Sequence, residues 1–394
     1  MTEKSMATPQ GSLSGCILTP AGWIGGKIIL AGNRIARIEG TPVTLTGAPE
    51  APYIVPGFID LHVHGGDGVD YTDGEAGIRR FIRYHAASGT VAIAPTTATA
   101  PVDVLDRALA EIERVRTAPG PGEPTVLGAH LEGPFINPRK LGAQADITLE
   151  GDVELALRWA DICPLVVATV APEIPGGIAV IEALTARGCR VQVGHSIATA
   201  EEAAEGFRHG LAGFTHLFNG MSGVDHRNPG VAAYALSQGR YAELICDFVH
   251  VHPAVVLAAF RAIPRLYAIT DATSMAGCPD GEHGAGTDHH VVKTGRKVML
   301  ANGKSLAGSA ITMLDAFHNL VSLGLSIAEA SDLCSTRQAE YIGRSDLGRI
   351  VPGALGSFVA INQKLELESV WIEGKQIRNT DRVALRGPTE LALG

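Results

Sequence analysis

Between residues 54 and 344, short apolar runs alternate with segments of helical periodicity. The runs lie at 54–62, 90–95, 125–131, 164–170, 190–194, 212–216, 241–247 and 265–270, each the length of a buried strand. Helical patterns at 102–116, 178–187, 199–208 and 253–262 fall between them. Pro101 and Pro253 stand where a first helical turn tolerates proline, and Gly188 and Gly210 where helices stop. Eight strand–helix units in one run predict an α/β protein, a (β/α)8 barrel of the TIM type, with its working face at the C-terminal ends of the strands. A doubly wound open sheet is the structural alternative. It binds at a switch point and does not gather several separate strand ends.

The two ends of the chain share a different texture. From 15 to 53, β-like pieces such as 27–30 alternate with turns marked by Gly25-Gly26, Gly32-Asn33 and Gly40-Thr41. From 349 to 378 the texture returns, with strand candidates at 357–361 and 370–372 and a turn at Gly374-Lys375. Neither end can form a domain alone. The expected division is a small β-sandwich domain from 13–55 and 348–385 beside a barrel of 56–347. The Gly-rich stretch 277–304 breaks the βα alternation and reads as an excursion over the barrel mouth.

Composition narrows the partners. The chain has 394 residues, is 46% hydrophobic and carries a net charge of −9 without any run of Lys or Arg. Nucleic acid and anionic membranes are therefore not expected as partners, whereas a small anionic substrate needs only a few local cations. The cysteines at 16, 163, 189, 246, 278 and 334 form no CxxC pair and mostly sit in apolar runs. They read as reduced thiols of a cytoplasmic protein. Residues 1–14 lack the apolar stretch of a signal peptide, and no run reaches membrane-spanning length.

Five of the runs end in residues that bind metals or move protons. His62 and His64 are two apart, so on a strand both imidazoles can reach one ion. Glu132, His195 and His216 each close a further run. Neutral imidazole and carboxylate suit Zn²⁺, Fe²⁺ or related divalent ions. One HxH pair is a common accident, but with Glu132, His195 and His216 at three further strand ends of one barrel, all five meet at one mouth. Asp271 closes the eighth run, where its carboxylate can take a proton from water and deliver it to a leaving group. The competing reading of Asp271 is a loop-stabilising cap. His85, His209, His283, His289, His290 and His318 are expected to be structural.

Motifs along the chain then point to a family. The first-strand segment 55–65 (VPGFIDLHVHG) is similar to that of the amidohydrolase superfamily. The segments 130–137 (HLEGPFIN), 194–196 (GHS), 215–219 (THLFN), 270–273 (TDAT) and 306–309 (LAGS) together resemble the N-acetylglucosamine-6-phosphate deacetylases within it, over nearly the whole chain. The resemblance implies a hydrolase that removes acetate from the amide nitrogen of a phosphorylated amino sugar. It implies that Glu132, His195 and His216 are principal metal ligands, that His62 and His64 add a second ion in members holding two, and that Asp271 is the catalytic acid–base. Zinc is the first expectation for the ion, with iron and manganese as alternatives. The resemblance also implies phosphate contacts from Asn219, the backbone N–H of Gly220, Arg227 and His250. A homodimer is expected in which Arg227 reaches the neighbouring site.

This chain departs from the family pattern at three positions. Gln144 stands where the family usually has a histidine that polarises the acetyl carbonyl; its amide can donate but cannot titrate. Phe248 stands in place of a glycine beside His250, and Gly220 in place of an alanine, a change expected to matter little. The first two leave room for a deacylase of another N-acyl amino-sugar phosphate, such as the galactosamine epimer. A non-catalytic sugar-phosphate sensor on the same fold is the reading from a different class.

Overall fold

The computed structural model describes residues 11–44, 52–284 and 290–377. Eight parallel strands form the barrel: Phe58–Val63, Thr90–Thr97, Ala129–Glu132, Leu165–Val170, Arg190–Val193, Gly213–Phe214, Tyr241–Ile245 and Arg265–Ile269. The first six pair side by side in sequence order, and the last two pair with each other. Hydrogen bonds close the ring. Leu217 N donates to Glu243 O (2.9 Å), and Asp271 N donates to His62 O (2.9 Å). All eight strand candidates thus lie in one barrel.

Two candidates were longer than one strand. The run 54–62 divides at Gly57 into Tyr53–Pro56, which joins a different sheet, and Phe58–Val63. A side chain at Gly57 would meet that of Val91, so glycine lets the chain pass closely between the two sheets. The run 125–131 divides at Gly128 (φ 138°). The helices run close to expectation. Val102–Thr117 follows Pro101, Ala200–Arg208 carries a capping box from Thr199 and Glu202, and Pro253–Ala262 opens on its proline. Gly188 (φ 83°) and Gly210 (φ 120°) follow helices in the left-handed region, as their positions predicted. Large apolar side chains such as Phe81, Leu109, Trp159, Phe214 and Phe317 fill the layer between strands and helices.

The chain ends meet in one seven-stranded sheet. Its order is Lys375–Ile377, Leu367–Ile372, Phe358–Ile361, Tyr53–Pro56, Gly11–Thr19, Gly22–Ala31 and Arg34–Pro42. Gly32-Asn33 is a turn, but Gly25, Gly26 and Gly40 sit inside paired strands. The reason is close approach: a Cβ on Gly26 would overlap the carbonyl oxygen of Glu39. Positions 378–385, assigned to this unit from sequence, lie outside the described residues.

The excursion 277–304 is a sheet rather than an irregular loop. Gly281–His283, Val291–Thr294, Lys297–Leu300 and Leu306–Ser309 pair antiparallel around Val291, Val298 and Ala307. Its last strand is tied to the end of the eighth barrel strand, since Ser309 N donates to Asp271 O (2.8 Å) and Ser309 Oγ to Thr270 O (2.6 Å). His289 lies outside the described residues.

Candidate metal and active site

The barrel brings the strand-end residues together at its mouth. His195 Nε2 and His216 Nε2 are 3.1 Å apart, and both face Glu132 Oε1, at 3.1 and 2.9 Å. His62 Nε2 and His64 Nε2 are 3.3 Å apart. His64 Nε2 lies 3.4 Å from the other Glu132 oxygen and 3.2 Å from Asp271 Oδ1. Glu132 therefore stands between two pairs of imidazoles, and Asp271 faces the His62–His64 pair.

Strand ends alone do not aim these side chains. His195 (φ 48°), His216 (φ 29°) and Asp271 (φ 50°) all adopt positive φ, which few residues other than glycine do. Left-handed turns at three successive site positions swing the side chains off the strand direction into the mouth, a form of strain typical of functional sites.

The hydrogen bonds behind the rings decide what their front atoms can do. His195 Nδ1 lies 2.7 Å from Lys140 O, and His64 Nδ1 lies 3.2 Å from Thr96 O. His62 Nδ1 lies 2.9 Å from Glu243 Oε2. Carbonyls and carboxylates only accept, so each Nδ1 carries a proton. In its neutral form each ring would then aim an Nε2 lone pair at carboxylate oxygens. Lone pairs converging at such distances need a cation between them. The donor set, imidazole nitrogens and carboxylate oxygens, fits a divalent metal.

The carboxylates and imidazoles also favour one another's charged forms, so the cluster attracts positive charge, from a proton or from a metal ion. Burial pushes the Glu132 carboxyl up, but His62, His195 and His216 outweigh burial and hold it well below the usual carboxylate range. Burial likewise opposes ionisation of Asp271, and His62 and His64 bring it down to about 2. Burial disfavours charge on His62, yet the carboxylates of Glu132, Asp271 and Glu243 raise it well above its ordinary value.

The remaining positions divide. Asn219 closes the turn after the sixth strand, its Nδ2 donating to His216 O (3.2 Å) and Leu217 O (3.3 Å). Gly220 follows at φ 57°, and a Cβ there would come 3.0 Å from His195 Nδ1. Its missing side chain leaves the His195 ring its space. His250 Nδ1 is held by Asp247 Oδ2 at 2.7 Å. Phe248 adopts φ 65°, a conformation natural to glycine. Arg227 is exposed, and its backbone N–H donates to Asp225 Oδ1 (2.8 Å).

Gln144 lies against the central carboxylate. Its Nε2 donates to Glu132 Oε2 (2.6 Å), and its Oε1 accepts from Thr99 N (2.5 Å). The amide thus braces the central carboxylate. His85 is structural as expected, buried with Nε2 2.9 Å from Gly65 O.

Three residues escaped sequence reasoning. Asp247 orients His250. Glu243 orients His62, and its signal was a charged residue inside the apolar run 241–247. His130 lies beside this group but is not a ligand. Its Nδ1 faces Leu61 O (3.0 Å) and its Nε2 faces Thr169 Oγ1 (2.8 Å), so neither nitrogen is left for an ion.

Residues 53–377 match the model of the amidohydrolase family, and the chain belongs to that family. It is a hydrolase with the ligand groups for a divalent metal. Its relatives are narrower in function. The chain is 37% identical over 369 residues to the N-acetylgalactosamine-6-phosphate deacetylase of Escherichia coli O157:H7, covering 91% of this chain and 97% of the other. It is 34% identical over 334 residues to the N-acetylglucosamine-6-phosphate deacetylase of Vibrio furnissii, covering 82% of each. Among solved structures, the N-acetylglucosamine-6-phosphate deacetylase of Thermotoga maritima superposes with a TM-score of 0.83 at 27% identity, covering 93% of this chain and 99% of that one. A variant of the Mycobacterium smegmatis N-acetyl-D-glucosamine-6-phosphate deacetylase, in complex with N-acetyl-D-glucosamine-6-phosphate, gives a TM-score of 0.83 at 27% identity. That match covers 92% of this chain and 97% of the other.

Proposed function

We propose that this chain hydrolyses the acetamide of N-acetylglucosamine 6-phosphate to glucosamine 6-phosphate and acetate. The observation that carries the reading is Asp271 Oδ1 at 3.2 Å from His64 Nε2, in the mouth that also holds Glu132, His195 and His216. A divalent cation bound there acidifies water and polarises an amide carbonyl. Glu132, His195 and His216 hold one ion and His62 with His64 a second. Zinc suits this donor set, with iron and manganese as alternatives. Asp271 accepts the proton of the attacking water as the C–O bond forms. It returns that proton to the sugar nitrogen as the C–N bond breaks, so that the amine leaves neutral.

A second reading is favoured by one observation. The relative matched over 97% of its own length is a deacetylase of the galactosamine epimer. A panel of N-acetylhexosamine 6-phosphates, compared by kcat/KM, decides between the two. Highest turnover of the glucosamine compound supports the first reading. Highest turnover of the galactosamine compound replaces it, and no acetate release from either sinks both.

Phosphate recognition falls to Asn219, Gly220, Arg227 and His250, with Arg227 supplied to the neighbouring subunit of a homodimer. Its exposure, and that of Val224 (63%) in the same loop, supports that assignment. Buried thiols at Cys163, Cys189, Cys246 and Cys334, outside any disulfide, support a cytoplasmic location. No helix among the described residues is long and apolar enough to cross a membrane.

His250 makes the phosphate grip pH-dependent. Burial pushes its imidazole down, but the hydrogen bond and charge of Asp247 outweigh burial and raise it above its ordinary value. The imidazolium is thus fully present below about pH 6.5 and is lost as pH rises through the raised folded value. A phosphate dianion prefers the charged ring. KM is expected to climb in this alkaline range with kcat unchanged. His250→Gln should flatten the climb, and a profile identical to wild type would remove His250 from the phosphate site.

A further inference from the structure

Glu243 is a fully buried carboxylate, 0% exposed, that none of the chemistry above uses. Burying a carboxylate is expensive unless its partners compensate. It rises from the strand Tyr241–Ile245, separated from the strand that carries His62 only by the strand Arg265–Ile269. Its Oε2 lies 2.9 Å from His62 Nδ1 and accepts a longer bond from His216 N (3.3 Å). Its Oε1 accepts from Tyr267 Oη (3.3 Å). That hydroxyl in turn accepts from Gln192 Nε2 (2.8 Å), and Gln192 Oε1 accepts from Thr215 Oγ1 (2.8 Å). The carboxylate is therefore held at both oxygens by a buried chain of side chains.

We propose that Glu243 is a positioning residue that locks His62 into the cluster, so that one of two bound ions depends on it and the other does not. A carboxylate can only accept, so it keeps the proton on His62 Nδ1 and points the Nε2 lone pair at His64 Nε2 (3.3 Å) and Asp271 Oδ1 (3.5 Å). Two of the other rings have anchors of their own, while His216 meets Glu243 only through its backbone N–H (3.3 Å). Lys140 O holds His195, and Thr96 O holds His64. Losing Glu243 leaves His62 free to turn or to change tautomer, whereas the group of Glu132, His195 and His216 loses only the longer contact at the His216 backbone (3.3 Å). The neighbouring His130 cannot stand in, because both its nitrogens are engaged.

This inference rests on the metal reading above. Its test is Zn²⁺ titration of metal-stripped full-length wild type, Glu243→Gln, Glu243→Leu and His62→Asn, with ions bound per chain and each affinity as readouts. Wild type is expected to take up two ions. Both Glu243 variants should bind one ion about 10–100-fold more weakly and the other as wild type does. The Gln variant, which keeps an acceptor oxygen, should lose less, and His62→Asn should show the same one-ion signature. Two ions at wild-type affinity in both variants would overturn the role of Glu243. So would proportionate weakening of both ions together with a lower Tm, the pattern of a merely structural residue. If the Leu variant does not fold, the Gln variant decides alone. A wild type that binds a single ion overturns the two-ion reading itself, and the inference with it.

Discussion

Asp271→Asn is expected to lower kcat by about 10²–10⁴-fold, the usual contribution of a positioned acid–base. That range corresponds to roughly 3–5 kcal/mol of barrier. Asparagine keeps the shape and the polar contacts of the strand end but can neither take a proton from water nor give one to a leaving amine. The aspartate is ionised at neutral pH, the form that can accept a proton. Its backbone is fixed from both sides, by His62 O and by Ser309 N, so the substitution should leave the fold unchanged. Acetate release and metal content should be measured on the same preparation. Wild-type turnover in a fully loaded Asp271→Asn protein would sink the proton-transfer role. Lost turnover with lost metal would assign Asp271 to ion binding instead.

The second large effect is on the central carboxylate. Glu132→Ala should weaken metal binding by about 100-fold or more, at or beyond the upper range for outer-shell partners, and abolish turnover. Glu132 is 2% exposed, and its two oxygens are the only carboxylate atoms facing both pairs of imidazoles among the described residues. Without it, four histidines converge with no negative charge between them, and the Gln144 amide loses its acceptor. Stripping the wild-type protein with a chelator should give the same loss of turnover, restored by added divalent ion. Turnover that survives exhaustive stripping would remove the metal from the mechanism. Full metal uptake by Glu132→Ala would remove Glu132 from the ligand set.

Gln144 shows how a contact between distant segments stays out of sight in the sequence. Its position in the loop after the third strand marked it as a site residue. Its partner was hidden, because Thr99 N, which turns the amide oxygen, lies 45 residues away. Glu243 was hidden for the same reason: its contact with His62 spans 181 residues and forms only when the seventh and eighth strands close the barrel against the first. Gly26 and Gly40 were read as turns because glycine punctuates loops, yet they lie where two strand backbones approach too closely for any side chain.

By itself the sequence determined what depends on local pattern. The alternation of apolar runs and helical periodicity set the eight βα units. The placement of His62, His64, Glu132, His195, His216 and Asp271 at the ends of those runs set the chemistry of the mouth, because parallel barrel strands all end on one face. Only the tertiary structure decided how those residues act together. The left-handed turns at His195, His216 and Asp271, the bracing of Glu132 by Gln144, and the reach of Glu243 to His62 all depend on contacts between distant segments. A proton's place on an imidazole is set by the atom behind the ring. That atom belongs to whichever strand the closed barrel brings alongside, so the ring's role is decided only when the barrel closes.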